Sequence, residues 1–583
     1  MYRFSMFLLC ALALTISSAQ TSGPIVWKRA DIRSGITTPG GAPFENYKDV
    51  KALSSGNTIA LGETGGVGAA IGGDIVLRKH SASSGAILFE RFIDGYLAGY
   101  SDKAVKLLVA EPFIYVVMNS TYNLTPFDQD IFVYKLDTSL NTVWVRNLNT
   151  SGNPDDIAVD AGLDQLGNLY VVGNTTRTGT GGDIVWLKYS SSGSLLFTKY
   201  YTSAGLFTDE VRAMAVEPNG VCNITGFYTS STLGSRMLAL KLWSNGIQLW
   251  VRYHDVVSGA VSGDIGNSVS YDPVTGDMYV CGGGRNSTGN DDWVVVKFAG
   301  SDGTKLWFKR HTGVGNANDN GVKVIYQGGD LYSCGTFTST VSGVTSKNIQ
   351  LRKYIPADGA SVWTKTYNML NGTSGPSDES ASTMIVSPGG NIYVGGTAVL
   401  PTSSAPQTYQ VILNYSSSGT LVWAHNEGNT GLSSPFQGIG LSALDYAPGQ
   451  NALYAAGFEW KSMSVQSSTT LLKFGPTSLA PPLADRSDVD DQNPLAAIDM
   501  QVYPNPFSEQ AFIEFTTSSD MSAATLQVFS SEGRKVLDVY AGELSQEERY
   551  SFRIDASVLP AGIYFCRLSY DGQAINKRVL VVK

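Results

Sequence analysis

The stretch from Asp155 to Tyr201 constrains this chain most, because its pattern returns about every 55 residues from near the N-terminus to about residue 475. One copy holds the apolar runs Ile157–Val159, Leu169–Val172, Ile184–Tyr189 and Leu195–Tyr201, parted by clusters of Gly, Asn, Ser and Thr. Short apolar runs between turn residues read as antiparallel strands. Four strands per unit at this period describe a blade of a β-propeller. The fold class expected is therefore all-β.

The third run of each copy ends in a lysine: Lys79, Lys135, Lys188, Lys241, Lys297, Lys353 and Lys473, with Asn414 in the remaining copy. The fourth run places a basic group two residues after an aromatic, in Phe89/Arg91, Trp144/Arg146, Phe197/Lys199, Trp250/Arg252, Trp307/Lys309, Trp363/Lys365 and Trp423/His425. After Lys473 no such pair follows. The missing one stands near the N-terminus as Trp27/Arg29, which predicts an eight-bladed propeller over 20–475 whose last blade is closed by an N-terminal strand. Period-2 spacing sets aromatic and cation on one face of that outer strand, where the charge is expected to discourage edge-to-edge pairing. Strand two ends in Gly in most copies (Gly173, Gly226, Gly282, Gly335, Gly396, Gly457), and a turn with positive φ would favour that residue.

Met1–Gln20 has one cation at Arg3, an apolar run from Met6 to Ile16 and small residues after it. The run is too short to span a bilayer and predicts a secretory signal peptide over 1–19. Of the five cysteines, Cys10 lies in this segment. Cys222, Cys281, Cys334 and Cys566 are expected as small buried hydrophobes, since Cys281 and Cys334 fall at equivalent points of neighbouring blades, too far apart for a bridge. A net charge of −9 over 583 residues carries no basic face for nucleic acid. No transmembrane segment is expected.

Aligned repeats put an acid before each first strand: Asp49, Asp102, Asp155, Asp209, Asp264, Asp319 and Asp378, with Gln437 in the eighth copy. Around one channel mouth such a ring could bind a ligand, drawing a cation or a basic group. The same residue could instead cap a turn by accepting backbone N–H bonds. No cofactor or dedicated metal site is expected beyond a cation at that ring. Asp156, Glu210 and Glu379 follow the ring acid in only three copies; a pair of them would suit a carbohydrate-active hydrolase or lyase. His80, His254, His311 and His425 fall in different blades and cannot share a zinc ion or serve one nucleophile. No catalytic residue is assigned, and a non-enzymatic binder of an extracellular glycan or protein is the reading preferred, supported by Thr-, Ser-, Asn- and Tyr-rich loops after the second strands.

The repeat motif, D…G-N-x-Y-V-x-G followed by D-I-V-x-x-K-Y and G-x-x-x-W, resembles the bacterial β-propeller repeat (SBBP) family over about 23–475. Residues 476–498 form a Pro-rich, acidic linker, and 499–583 hold about seven short strands expected as a small β-sandwich. That last part resembles the type A C-terminal sorting domain of type IX secretion cargo, through Tyr503-Pro504-Asn505-Pro506-Phe507, the hairpin at Gly533, Leu559-Pro-Ala-Gly562-Ile-Tyr564 and the run from Lys577 to Lys583. The resemblance implies export through the periplasm, recognition by the type IX machinery, and release or anchoring at the cell surface.

Overall fold

The computed structural model describes residues 25–31, 44–65, 73–97, 100–124, 127–149, 155–177, 181–203, 207–230, 234–255, 262–341, 343–370, 377–400, 407–428, 439–460, 467–475, 500–517, 521–530, 534–545, 549–570 and 573–582. The expected signal peptide and linker, Gln437 and Gly533 lie outside the described residues. Two compact units divide the chain, Met1–Ser478 and Leu479–Lys583.

In the first unit the described strands fall into eight antiparallel sheets, spanning 44–93, 103–148, 156–201, 209–254, 265–311, 320–367, 378–428 and 439–474. Seven take their strands in chain order, and the fourth of these gains a short parallel strand, Ser262–Gly263. The last borrows its outermost strand from Ile25–Asp31, which pairs antiparallel with Ser467–Phe474. First strands pack on one another in order around the unit, and Ile439–Ala447 packs back on Phe44–Ala52. The result is all-β and propeller-like.

Second strands are apolar at successive positions because both of their faces are covered. Leu169 and Val171 pack with residues of the preceding sheet, while Tyr170 and Val172 pack with residues of the following one. With alternating side chains, each such strand serves two cores at once.

Outer strands are tied to the next sheet by polar staples. Trp27 Nε1 donates to the Ala82 carbonyl and Trp250 Nε1 to that of Gly300, while Trp307 Nε1 donates to Pro356. Arg91, Arg146, Arg252 and Arg29 donate to carbonyls of Leu140, Gly193, Asp302 and Ser84. The third-strand lysines do the same from inside: Lys79 to Thr138, Lys135 to Ser191, Lys188 to Ser244, and Lys473 to Ala82. These cations therefore bind sheet to sheet, where edge protection had been expected of the outer ones, because the neighbour's turn offers carbonyls left unpaired by the hairpin. Trp27 and Lys473 make the same bonds across the join between the last sheet and the first.

The second-strand glycines also have a reason other than the one expected. None of Gly173, Gly226, Gly282, Gly335, Gly396 or Gly457 is among the residues of positive φ. Each lies inside its strand opposite a bulge in the first strand, and a Cβ at Gly226 would fall 1.9 Å from the Glu210 carbonyl oxygen, or at Gly173 2.3 Å from that of Ile157. Close backbone approach at a bulge admits no side chain.

In the second unit a sheet of Gln501–Tyr503, Gln510–Thr516 and Arg549–Asp555 shares one core with a sheet of Lys535–Leu544, Met521–Ser530, Gly562–Tyr570 and Gln573–Val581. No helix among the described residues is long and apolar enough to cross a membrane.

Candidate functional site

Every first strand carries a register shift at one place: Tyr47/Asp49, Ala104/Lys106, Ala158/Asp160, Val211/Ala213, Gly266/Ser268, Gly321/Lys323, Ala381/Thr383 and Leu441/Ala443. Counting two residues back from the shift gives the equivalent position in each sheet, held by Glu45, Asp102, Asp156, Asp209, Asp264, Asp319, Glu379 and Ile439. All seven acids are buried. Four of the expected ring residues, Asp102, Asp209, Asp264 and Asp319, stand there. Asp49, Asp155 and Asp378 do not, and their places belong to Glu45, Asp156 and Glu379.

These acids accept backbone N–H bonds. Asp102 Oδ2 takes Gly95 N at 2.7 Å and Asp209 Oδ2 takes Ser203 N at 2.7 Å. Asp319 takes Gly313 and Thr338, Asp264 takes Arg285 N at 2.8 Å, and Glu379 Oε1 takes Met369 N at 3.1 Å. Several of these donors follow the outer strand of the preceding sheet, so the carboxylate pins the crossover between sheets. Burial pushes Asp102 up to about 6 and Glu379 up to about 7, and raises Asp209 and Asp319. Asp130, fully buried beside Asp128 and Asp156, is pushed up to about 7. Glu45 is held by a bidentate pair with buried Arg78, at 3.0 and 3.1 Å, at the join of last and first sheets.

The carboxylates considered for hydrolysis are separated by the same geometry. Asp156 and Glu379 are buried in different sheets, and Glu210 pairs with exposed Arg212 at 3.0 Å. The histidines are likewise dispersed: His80 lies against Tyr47 and the Gly85 carbonyl, His311 against Tyr354, and His425 against Glu427. Burial lowers His254 to about 4 and His311 to about 3. Cys222, Cys281, Cys334 and Cys566 are buried and unbridged.

Just past the bulge lies a second tier of charges on the first strands. Asp49 pairs with Lys51 at 3.2 Å and accepts Leu107 N from the next sheet; Lys106 pairs with Asp160 at 2.8 Å; Lys51 also reaches Asp445 at 3.7 Å. Asp160 raises Lys106 above the usual ammonium value, whereas burial and Lys106 lower Lys323. Lys51–Asp445 and Lys106–Asp160 thus join neighbouring first strands, which sequence alone does not disclose because Asp and Lys in separate repeats give no local signal.

The crossover from Ile87–Ile93 to Lys103–Ala110 holds one further feature, also missed. Tyr96, 57% exposed, stacks on Tyr122 with ring centroids 4.2 Å apart and planes 20° off parallel. Its backbone N donates to Ser120 Oγ at 3.0 Å, and the adjacent Gly95 N is held by Asp102. Beside it Asp74, Asp94 and Asp102 each offer an oxygen within 4.8 Å of the others, the one such acidic trio found among the described residues. The trio can accept hydroxyl hydrogen bonds or hold a cation.

In the second unit the motif residues converge. Asn505 Oδ1 accepts Leu580 N at 2.8 Å, Phe507 N donates to Leu580 O at 3.0 Å, and Val582 N donates back to Phe507 O at 2.9 Å. Gly562 and Tyr564 pair with Val581 and Val579, Lys577 pairs with Cys566, and the Tyr564 hydroxyl donates to Pro560 O at 2.9 Å. The segment from Tyr503 thus runs beside the C-terminal strand, with Pro504 and Pro506 spacing its contacts.

Residues 501–583 match the family described as "Secretion system C-terminal sorting domain". The last domain is a type IX sorting domain. It marks this protein for export, to the medium or the cell surface, and ties it to the secretion machinery. No curated protein matches the chain. Among solved structures it is similar to quinohemoprotein alcohol dehydrogenase from Comamonas testosteroni (TM-score 0.40, 12% identity, covering 67% of this chain and 76% of that one). The WD40 domain of SCAP from fission yeast is also similar (TM-score 0.38, 8% identity, 74% and 95%), as is puromycin hydrolase (TM-score 0.37, 14% identity, 76% and 63%).

Proposed function

We propose that the chain is an exported, eight-bladed β-propeller of SBBP-type repeats, led by a signal peptide over 1–19, that binds an extracellular glycan at the mouth where the first strands begin. The observation that carries this reading is the Tyr96 ring. One face rests on Tyr122, the amides of Gly95 and Tyr96 are pinned, and the ring stays more than half exposed, which suits stacking against a pyranose. Asp74 and Asp94 at its base supply acceptors for sugar hydroxyls, and a cation drawn to the acids would sit with Asp102 at this trio instead of around a symmetric ring. The remaining ring acids serve the crossovers. A protein ligand would need a broader contact than this single platform.

The test is a glycan array probed with the purified chain, followed by Tyr96→Ala. Binding is expected to fall at least about tenfold with the melting temperature unchanged. Undiminished binding by the variant sinks the assignment of the site; recognition of proteins alone sinks the ligand class.

A further inference from the structure

The outer face of the sorting domain's larger sheet departs from the alternation that a solvated face requires. Along Gly562–Tyr570 the side chains alternate strictly, with Tyr564, Cys566, Leu568 and Tyr570 buried and Ile563, Phe565 and Arg567 exposed. A face turned to water should be polar. Here its leading half is Ile563, 44% exposed, and Phe565, 36% exposed. Ile563 lies directly opposite Leu580, itself exposed, and Phe565 directly opposite half-buried Phe529. Val582 continues the strip. Leu580 is fixed in this outward position because both its N–H and its carbonyl are bonded to the Asn505–Phe507 segment. A rim with a surplus of cations borders it: Arg567, its guanidinium 5.9 Å from the Phe529 ring, exposed Arg534, and Lys535 opposite Phe529, which pairs with Asp538 at 3.0 Å.

We propose that this strip, Ile563, Phe565, Phe529, Leu580 and Val582, is the surface by which the secretion machinery takes hold of the protein, against a partner face that is apolar at its centre and edged by carboxylates. The inference rests on the sorting-domain match and is independent of any ligand of the first unit. Three observations point to that occupant. The domain's role is to be recognised, the motif at 503–507 spends its bonds holding Leu580 outward, and the strip has the apolar core with charged rim of a protein–protein contact. Opposite charge on the partner would complement Arg567, Arg534 and Lys535.

The experiment expresses the full chain, with Ile563→Thr, Phe565→Thr and Leu580→Thr combined, in a bacterium possessing the type IX machinery, and measures the protein outside the cell against that in the periplasm. The altered side chains are exposed, so the purified variant should melt close to the parent, while export is expected to fall at least about tenfold with folded protein held in the periplasm. A second variant, Arg567→Glu with Lys535→Glu, leaves the apolar strip intact and is expected to cut export severalfold. Parental export by both variants overturns the proposal. So does parental export by the threonine variant accompanied by loss of a dimer on size-exclusion chromatography, which would make the strip a contact between copies. Loss of export by a chain lacking 479–583 altogether, with both variants exported normally, would leave the sorting role standing and reject this surface alone.

Discussion

At the scale of single residues, the buried acids at the sheet joins set the pH response. Asp130 is fully buried, one oxygen has no hydrogen-bond partner, and its neighbours are carboxylates, so burial and like charge lift it to about 7. A folded-state value above the unfolded one means that the native state holds the proton more tightly. The contribution to stability is then present below about pH 4 and is lost as pH rises to about 7. Asp130→Asn cannot ionise, and is expected to stabilise the first unit by about 1–2 kcal/mol at pH 8 and by much less at pH 5. Thermal melts at the two pH values check this, and a variant less stable than the parent at pH 8 contradicts it. Gly226 gives the opposite case. A methyl group there meets the Glu210 carbonyl at 1.9 Å, so Gly226→Ala is expected to cost about 2–3 kcal/mol, measured as a drop in the denaturant midpoint at unchanged slope.

Elements are where the closing strand acts. Ile25–Asp31 covers the free edge of Ser467–Phe474, and Trp27 packs over Gly85, whose φ is +68°, as Trp144 packs over Gly193 and Trp250 over Gly303. Removing residues 20–31 exposes that edge and one side of the Gly85 turn. The truncated protein is expected to melt more than about 5 °C lower and to associate through the bare edge, visible by light scattering. A monomer with the parental melting temperature would show that the strand is dispensable.

For the whole molecule, the division at Ser478/Leu479 separates a body from an address. A chain ending at residue 478 is expected to fold, to keep its melting temperature, and to remain in the periplasm; its normal appearance outside the cell would contradict export by the C-terminal domain.

The amino-acid sequence by itself determined the repeat, the all-β class, the outer Trp/Arg pairs and the sorting domain, because each is written as local spacing within a few residues. It could not choose between Asp155 and Asp156, or between Asp378 and Glu379, since adjacent acids satisfy the same pattern and a one-residue bulge decides which of them turns inward. The tertiary structure alone placed Glu45 where Asp49 had been expected, gave the glycines of the second strands their purpose, and joined Tyr96 to Tyr122 and the carboxylates of two neighbouring sheets. Those outcomes depend on backbone register and on contacts between distant segments, and neither is a property of any short stretch of chain.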